Sequence, residues 1–445
     1  MSTSQTLSAD TAASIQSSHH EVHQEVTPAN IATGVVVGRT VGFFDMFVFG
    51  LACVMVFPKV VFPFASEADG IVYSFLIFAL GYIAQPIGSA VFLPMQKSHG
   101  RALKLTVAML LLGCTSIGIA FLPGYAEIGS WSILALAVLR FGQGFAIGGS
   151  WNGLASLLAL KAPRAKRGWY ASLVQLGGPI GFIVAAGLFC FIWAELTPAE
   201  FYAWGWRYPF FGAFAINVMA LFARLRLVVS PEYAKELELE ELEPAPLGKV
   251  VREQGRVVAL GAFAPLASYA LFNLITIFAL CWALLFTHQS LESFLLLQII
   301  GGLVAIPCML ISGWVADRLG RRTTLGLFAV LIAIYSGWTA VMLTGGAVQS
   351  AVFVIVGFAL LGFSHAQSAG AVSSSFKSHF RYSGARITSD LSWLIGAGFA
   401  PVVALLLAKY LGSDYVGLYL LSGAACTLAA LWISRRRGGL PDADA

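Results

Sequence analysis

The chain has 445 residues, 58% of them hydrophobic and 11% charged, with a mean hydropathy of +0.80 and a formal net charge of +5. Average soluble domains carry about 25% charged residues, so this composition excludes an ordinary soluble enzyme or nucleic-acid-binding module and points to a membrane protein. Cys53, Cys114, Cys190, Cys281, Cys308 and Cys426 each fall in a different apolar run with no CxxC pair, which reads as small core residues and not as disulfides or metal ligands.

The first element in chain order is a polar, Ser/Thr-rich stretch, residues 1–32, expected to be a disordered cytoplasmic tail. It has no basic segment leading into a short apolar one, so it is not read as a cleaved signal. His19, His20 and His23 lie in it without a cysteine partner, and no metal is assigned to them.

Apolar runs then recur at about 33–57, 71–95, 103–122, 131–159, 169–193 and 208–227, and again at 257–286, 294–314, 323–344, 351–374, 388–410 and 415–434. Each is near the roughly 20 residues that a helix needs to cross about 30 Å of hydrocarbon. The alternation over about ten residues that marks a membrane β-barrel is absent, so the spans are helices. The expected architecture is all-α: an N-terminal six-helix bundle at 33–227, a cytoplasmic linker at 228–256, a C-terminal six-helix bundle at 257–434 and a cytoplasmic tail at 435–445. The linker bunches acids from Glu236 to Glu243 and bases from Lys249, the pattern of an amphipathic, solvated segment.

Alternate turns are basic: "QKSHGRALK", "KAPRAKR", "DRLGRR", "KSHFRYSGAR" and the terminal "RRR", while the opposite turns supply Lys59, Arg207 and Lys409. An excess of Lys and Arg marks the cytoplasmic side, so both termini are expected there.

Ionisable groups inside spans cost at least a few kcal/mol unless paired or wetted, which makes each a functional candidate. Arg39, Asp45, Arg140 and His365 qualify. At 1.5 Å per residue Asp45 lies roughly 18 Å into its span and Arg140 roughly 15 Å from the other side, so they share a level. Gln143 follows Arg140 by one helical turn and suits a substrate contact. Arg39, about 9 Å from the boundary, is either a substrate contact or a snorkelling side chain. His365, two-thirds through its expected span beside Ser364, Gln367 and Ser368, suits proton relay, anion contact or helix packing. Asp390, at the expected start of the eleventh span, is read as a first-turn acid that complements the helix dipole. Trp151, Asn152, Gln175 and Asn273 are further polar positions, and the glycines of "QLGGPIG" suit close packing and a proline kink. There is no phosphate-binding loop, metal-spaced His/Cys cluster or serine elbow, so neither an enzyme nor an ATP-driven pump is expected, and no cofactor or metal.

The turn "GWVADRLGRRTTL" resembles the G-x-x-x-D-R-x-G-R-R/K signature of the major facilitator superfamily through Gly313, Asp317, Arg318, Gly320, Arg321 and Arg322. In that family such a turn gates: the glycine allows close helix approach, and the charges form a latch at the cytoplasmic end. The corresponding turn of the first half, "QPIGSAVFLPMQKSHGRALKL", keeps Gly100 and Arg101, but Lys97 stands at the acid's place, Ser98 at the first arginine's and Leu93 at the leading glycine's, so that latch is weakened or rebuilt. "LPGYAEIG", "RFGQGFAIGGS", "KAPRAKRGWYASLVQLG", "WGWRYPF", "SPEY" and "FKSHFRYSGA" are similar, in the same order, to motifs of the metabolite:proton symporter branch. The resemblance spans roughly residues 34–434.

It implies a twelve-helix major facilitator fold of two pseudo-symmetric bundles in the inner membrane, working as a monomer in lipid on protons and a small metabolite, with no nucleic acid. It further implies that Asp45 and Arg140 could meet across a central cavity; with the residue readings above, Asp45 is the candidate proton site and Arg140, Gln143, Arg39 and His365 are the candidate substrate contacts, with Arg101 a gating candidate beside the signature residues. The family's usual E-W-Y-D, R-P and G-G-E blocks are here Gly42-Phe43-Phe44-Asp45, Gln85-Pro86 and Gly148-Gly149-Ser150. With those acids gone, proton-coupled import of a carboxylate-type anion or zwitterion stands beside an uncoupled facilitator or an exporter, and a non-transporting sensor is a third reading.

Overall fold

A computed structural model describes residues 27–150, 153–287, 289–368 and 376–436. The tails with His19, His20 and His23, and the positions Trp151 and Asn152, lie outside the described residues. We label the long helices α1 (Pro28–Met55), α2 (67–99), α3 (101–120), α4 (Trp131–Gly149), α5 (Arg164–Glu195) and α6 (Tyr208–Val228), then α7 (Leu266–Phe286), α8 (Leu291–Leu319), α9 (Arg321–Thr344), α10 (Ala347–His365), α11 (Ser378–Tyr410) and α12 (Val416–Arg436).

Among the described residues, eleven continuous helical stretches are long and apolar enough to cross a membrane, and one of them, Glu67–Ala120, has 54 residues. At 1.5 Å per residue it is about 80 Å long, far more than one hydrocarbon core. Gly100, at φ +85°, breaks it into α2 and α3, a backbone conformation that glycine adopts without steric cost. The crossings therefore number twelve.

Helix ends extend past the apolar runs into polar residues that cap them. Thr27 accepts a hydrogen bond from the Asn30 N–H before α1, and Ser66 and Ser290 do the same for α2 and α8. The largest shift is at α11, which begins at Ser378, ten residues before its apolar run. Asp390 is consequently three turns inside a helix and not in a first turn. Conversely, α10 ends at His365, which is its last residue instead of an interior one.

In the first half α4 packs along α2 and α3, α5 along α1, and α6 against α2–α3; in the second, α8 packs on α10 and α12 on α9 and α7. The halves meet mainly where α8 lies on α5. Two shorter helices, Pro231–Leu239 and Leu247–Phe263, fill the linker, the second running across the expected 256/257 boundary to the break at Pro265. Tyr233 and Leu237 of the first join a buried cluster with Leu154, Leu157, Leu158 and Tyr382, and Lys161 forms an ion pair with Glu236.

Contacts between the halves occur at both ends. At the end away from the linker, Asp69 of α2 is ion-paired with Lys409 of α11, and the rings of Phe47 and Phe272 stack at 5.5 Å. A methyl group added to Gly50 would lie 2.5 Å from Ile277, so α1 and α7 have no spare room. A polar cavity lies between these contacts and those at the linker end.

Candidate functional site

A cavity of about 160 Å³ opens between the halves, lined among others by Arg39, Asn217, Arg224, Arg386, Asp390 and Trp393. Three arginines face it against one lining acid, so its wall carries an excess of positive charge. Phe43, Met46 and Tyr82 also line it, with the Phe43 and Trp393 rings 5.6 Å apart across the junction of the halves.

Asp45 is 1% exposed and stands behind this wall, surrounded by the apolar α1 residues Phe44, Met46 and Phe47. One of its carboxylate oxygens, Oδ1, accepts from Ser116 Oγ at 2.5 Å and from Asn217 Nδ2 at 3.4 Å. Its Oδ2 has no hydrogen-bond donor among the described residues. A buried carboxylate oxygen without a donor costs about 1–3 kcal/mol or more, which a proton on that oxygen would reduce. Asn217 lines the cavity, so a single side chain separates Asp45 from it.

The expected direct pairing of Asp45 with Arg140 does not occur. Arg140, 2% exposed, packs on the rings of Phe49 and Phe78, with its guanidinium 4.3 and 4.7 Å from their centroids. It donates to the Phe78 carbonyl at 3.3 Å and to Gln143 Oε1 at 3.2 Å. Gln143 then donates to Ser116 Oγ at 3.0 Å, and Ser116 to Asp45. The aromatic faces hold the arginine by cation–π attraction, and two neutral side chains fill the gap to the acid. Gln143, expected as a substrate contact, is fully buried in this relay and is not among the residues that line the cavity.

Arg39 does not snorkel to a boundary. It lines the cavity and donates through Nη1 to Gln175 Oε1 at 3.1 Å. Gln175 donates across the halves to Ser368 Oγ at 2.9 Å, which lies 3.4 Å from His365 Nδ1. His365 is packed among the rings of Phe43, Tyr269, Phe272 and Trp393, at centroid distances of 6.4, 5.5, 5.0 and 5.8 Å, and has no exposure. It is thus the aromatic-lined end of a second polar chain and is absent from the lining of the arginine-rich cavity. Asn273 ties Tyr82 Oη to the Ala397 carbonyl at 3.0 and 2.9 Å.

Two further arginines of the cavity are not among the sequence candidates: Arg386 belongs to the basic turn "KSHFRYSGAR", and Arg224 stands near the end of the expected sixth span. Arg224 of α6 donates to the Ser150 carbonyl at 2.5 Å. Arg386 of α11 forms a bidentate pair with Asp390, Nη2 to Oδ1 at 2.6 Å and Nε to Oδ2 at 3.1 Å. Ser89 of α2 donates to the same Asp390 oxygen at 2.6 Å and accepts from Arg386 Nε at 2.9 Å, and Arg386 Nη2 reaches the Ile147 carbonyl of α4 at 3.4 Å. This buried pair therefore joins the second half to the first.

At the linker end the signature turn packs against α5. Asp317 accepts from the backbone N–H of Gly168 at 2.6 Å and of Trp169 at 3.2 Å, capping a helix start with a carboxylate. A methyl group at Gly313 would lie 2.5 Å from Ser172 Oγ and 2.9 Å from Trp169 Cα, so the glycine is needed for the close approach. Gly320 turns the chain at φ +83°, and Arg318 stacks on Trp314 at 3.6 Å. In the first half Arg101 donates to the linker carbonyl of Leu242 at 3.3 Å, while Lys97 is exposed. The contact to α11 comes instead from buried Lys104, which donates to Gln96 Oε1 at 2.7 Å and to Tyr382 Oη at 3.3 Å, Tyr382 itself donating to Gln96 at 2.8 Å. The weakened turn has been rebuilt with different residues.

A sequence profile of the Major Facilitator Superfamily matches residues 40–389. The chain is 34% identical to the inner membrane metabolite transport protein YhjE of Escherichia coli K12, over 92% of this chain and 96% of that one. It is 29% identical to the shikimate transporter of the same organism, over 90% and 92%. Among solved structures, a D-xylose–proton symporter superposes with a TM-score of 0.69 at 18% identity, over 93% of this chain and 98% of the other, and therefore supports the fold. By sequence profile, by a relative that matches 92% of its length and by fold, this chain belongs to the Major Facilitator Superfamily and is a multi-pass membrane transporter of small molecules, not an enzyme.

Proposed function

We propose that the protein imports a small organic anion of the carboxylate type across the inner membrane by alternating access, coupled to protons. The observation that carries this reading is the cavity, in which Arg39, Arg224 and Arg386 face Asp390 alone while Asp45 waits one side chain behind Asn217. Guanidinium groups bind carboxylates bidentately, and an excess of them in a cavity favours an anionic solute. Asp45, with an oxygen lacking a donor among the described residues, is the proton carrier in this reading. Arg140 positions it through Gln143 and Ser116 without touching substrate. The bundles at 33–227 and 257–434 rock about the cavity, breaking the contacts of one end at a time, with both termini in the cytoplasm. A relative named as a shikimate transporter and others named as proline/betaine transporters fit a carboxylate-bearing solute.

Uptake into proteoliposomes with an imposed proton gradient tests this. The parent is expected to accumulate the carboxylate and to lose accumulation with an uncoupler, while Asp45→Asn equilibrates it without accumulation. Gradient-driven accumulation by Asp45→Asn equal to the parent's would remove Asp45 from the coupling step. Accumulation by neither protein, with counterflow in both, would favour the uncoupled facilitator.

A further inference from the structure

A second cavity, of about 1310 Å³, lies at the linker end between α5, α8, α9 and α12, and Arg164, Arg167, Arg318, Arg321, Arg322 and Arg435 line it. Asp317 is the one acid in that lining, and both its oxygens accept backbone N–H groups of α5. Six guanidinium groups against one carboxylate make this a strongly anion-attracting site, and it shares no lining residue with the central cavity.

Its rim is apolar. Leu319 and Trp432, each 55% exposed, line the same cavity, where an amphipathic indole suits the boundary between headgroups and hydrocarbon. From this rim α9 carries an exposed apolar stripe, Leu327, Leu331, Ile334, Trp338 and Val341, at successive spacings of four and three residues. At 1.5 Å per residue the stripe runs about 21 Å along one helix face, comparable to an extended acyl chain. Phosphate-binding charge at one end and an apolar track leading away from it match a phospholipid better than a free ion.

We propose that this cavity is a binding site for an anionic phospholipid, its phosphate held by the arginines and one acyl chain laid along α9. Basic pockets between membrane helices at the cytoplasmic face have the chemistry to take such headgroups. Because Asp317 lies in the cavity wall, the lipid would rest against the latch on α5, so its occupancy and the closure of that end are linked.

The test uses the purified full-length protein in a neutral detergent, with its thermal midpoint followed against added phosphatidylglycerol, phosphatidylcholine of the same chains, or inorganic phosphate. Phosphatidylglycerol is expected to raise the midpoint saturably, with the other two giving no matching shift. Arg164→Gln combined with Arg435→Gln is expected to weaken the apparent lipid affinity about thirtyfold, and Arg435→Gln alone about fivefold, from the loss of charges near an anionic headgroup. An equal effect of phosphatidylcholine, or variants that keep the parent's affinity, would overturn the site. An equal effect of inorganic phosphate would assign it to a soluble anion instead. None of these outcomes depends on what the transporter carries.

Discussion

Asp45 and Arg140 share a level of the first bundle without touching: three hydrogen bonds, of 3.2, 3.0 and 2.5 Å, join them through Gln143 and Ser116. The arginine is held by Phe49 and Phe78, and the acid faces the cavity through Asn217. In the coupling proposed above, the two act through a relay whose middle members are neutral and can be removed singly.

Ser116 is the closest donor to the carboxylate, and a hydrogen bond to a charged group contributes about 1.5–3 kcal/mol. Ser116→Ala is expected to slow proton-driven uptake by about tenfold or more while leaving substrate affinity nearly unchanged, since Ser116 is absent from the cavity lining. Initial uptake rates set against ligand binding to the same preparation separate the two effects. A loss confined to affinity would count against the relay.

The Arg386–Asp390 pair makes the opposite kind of prediction, one about stability. Its side chains are 8% and 1% exposed, so removing one partner leaves a buried charge. Arg386→Gln or Asp390→Asn alone is expected to destabilise by about 3–5 kcal/mol, and the double substitution by clearly less than their sum. Denaturant titrations of the four proteins in detergent measure this. If the effects are additive, the two side chains do not act as a pair.

Gly42 offers a direct test of the cavity's charge. It lines the cavity, and a side chain starting there would meet nothing within 4 Å, so substitution is sterically open. Gly42→Ala is expected to fold and transport normally, with stability unchanged or raised by up to about 1 kcal/mol from helix propensity. Gly42→Glu places an acid among the arginines and is expected to weaken binding of the carboxylate at least about tenfold. Undiminished anion binding by the glutamate variant would argue that the anion sits elsewhere.

The burial of Asp45 within a helix and the identity of the signature turn were legible in the sequence because each depends on local features, an apolar run around the acid and a fixed spacing of Gly, Asp and Arg. The twelve crossings were legible for the same reason, hydropathy being a local quantity. The partner of Arg140 was not, since the Phe49 and Phe78 rings that hold it come from two other helices. Asp390 was misplaced because "SHFRYSGARITSD" is too polar to register as membrane helix, yet it is helical from Ser378 and its arginine and acid neutralise each other. Arg386 reads as a topological charge of its basic turn and Arg224 as a basic residue at the end of a span, and nothing in the spacing distinguishes a basic residue facing lipid headgroups from one turned toward a cavity. The rebuilding at Lys104, Gln96 and Tyr382 joins residues 278 and 286 positions apart, beyond the reach of any local pattern.

The latch between the halves at the linker end yields the last prediction. Asp317 caps Gly168 and Trp169, and a methyl group at Gly168 would lie 2.8 Å from Asp317 Oδ1, the Gly313 carbonyl and Ala316 Cβ. Backbone cannot yield as a flexible side chain can, so Gly168→Ala pushes α5 and α8 apart, whereas Asp317→Asn removes the charge that caps α5 and leaves the fit intact. The two changes act by different means on one contact. Both are expected to shift the population toward states open at the linker end, read as longer distances between spin labels placed on α5 and α8 there. Asp317→Asn should do so with little effect on the pair at Asp69 and Lys409, at the far end. Label distances identical to the parent's in both variants would show that the signature turn packs the helices without gating them.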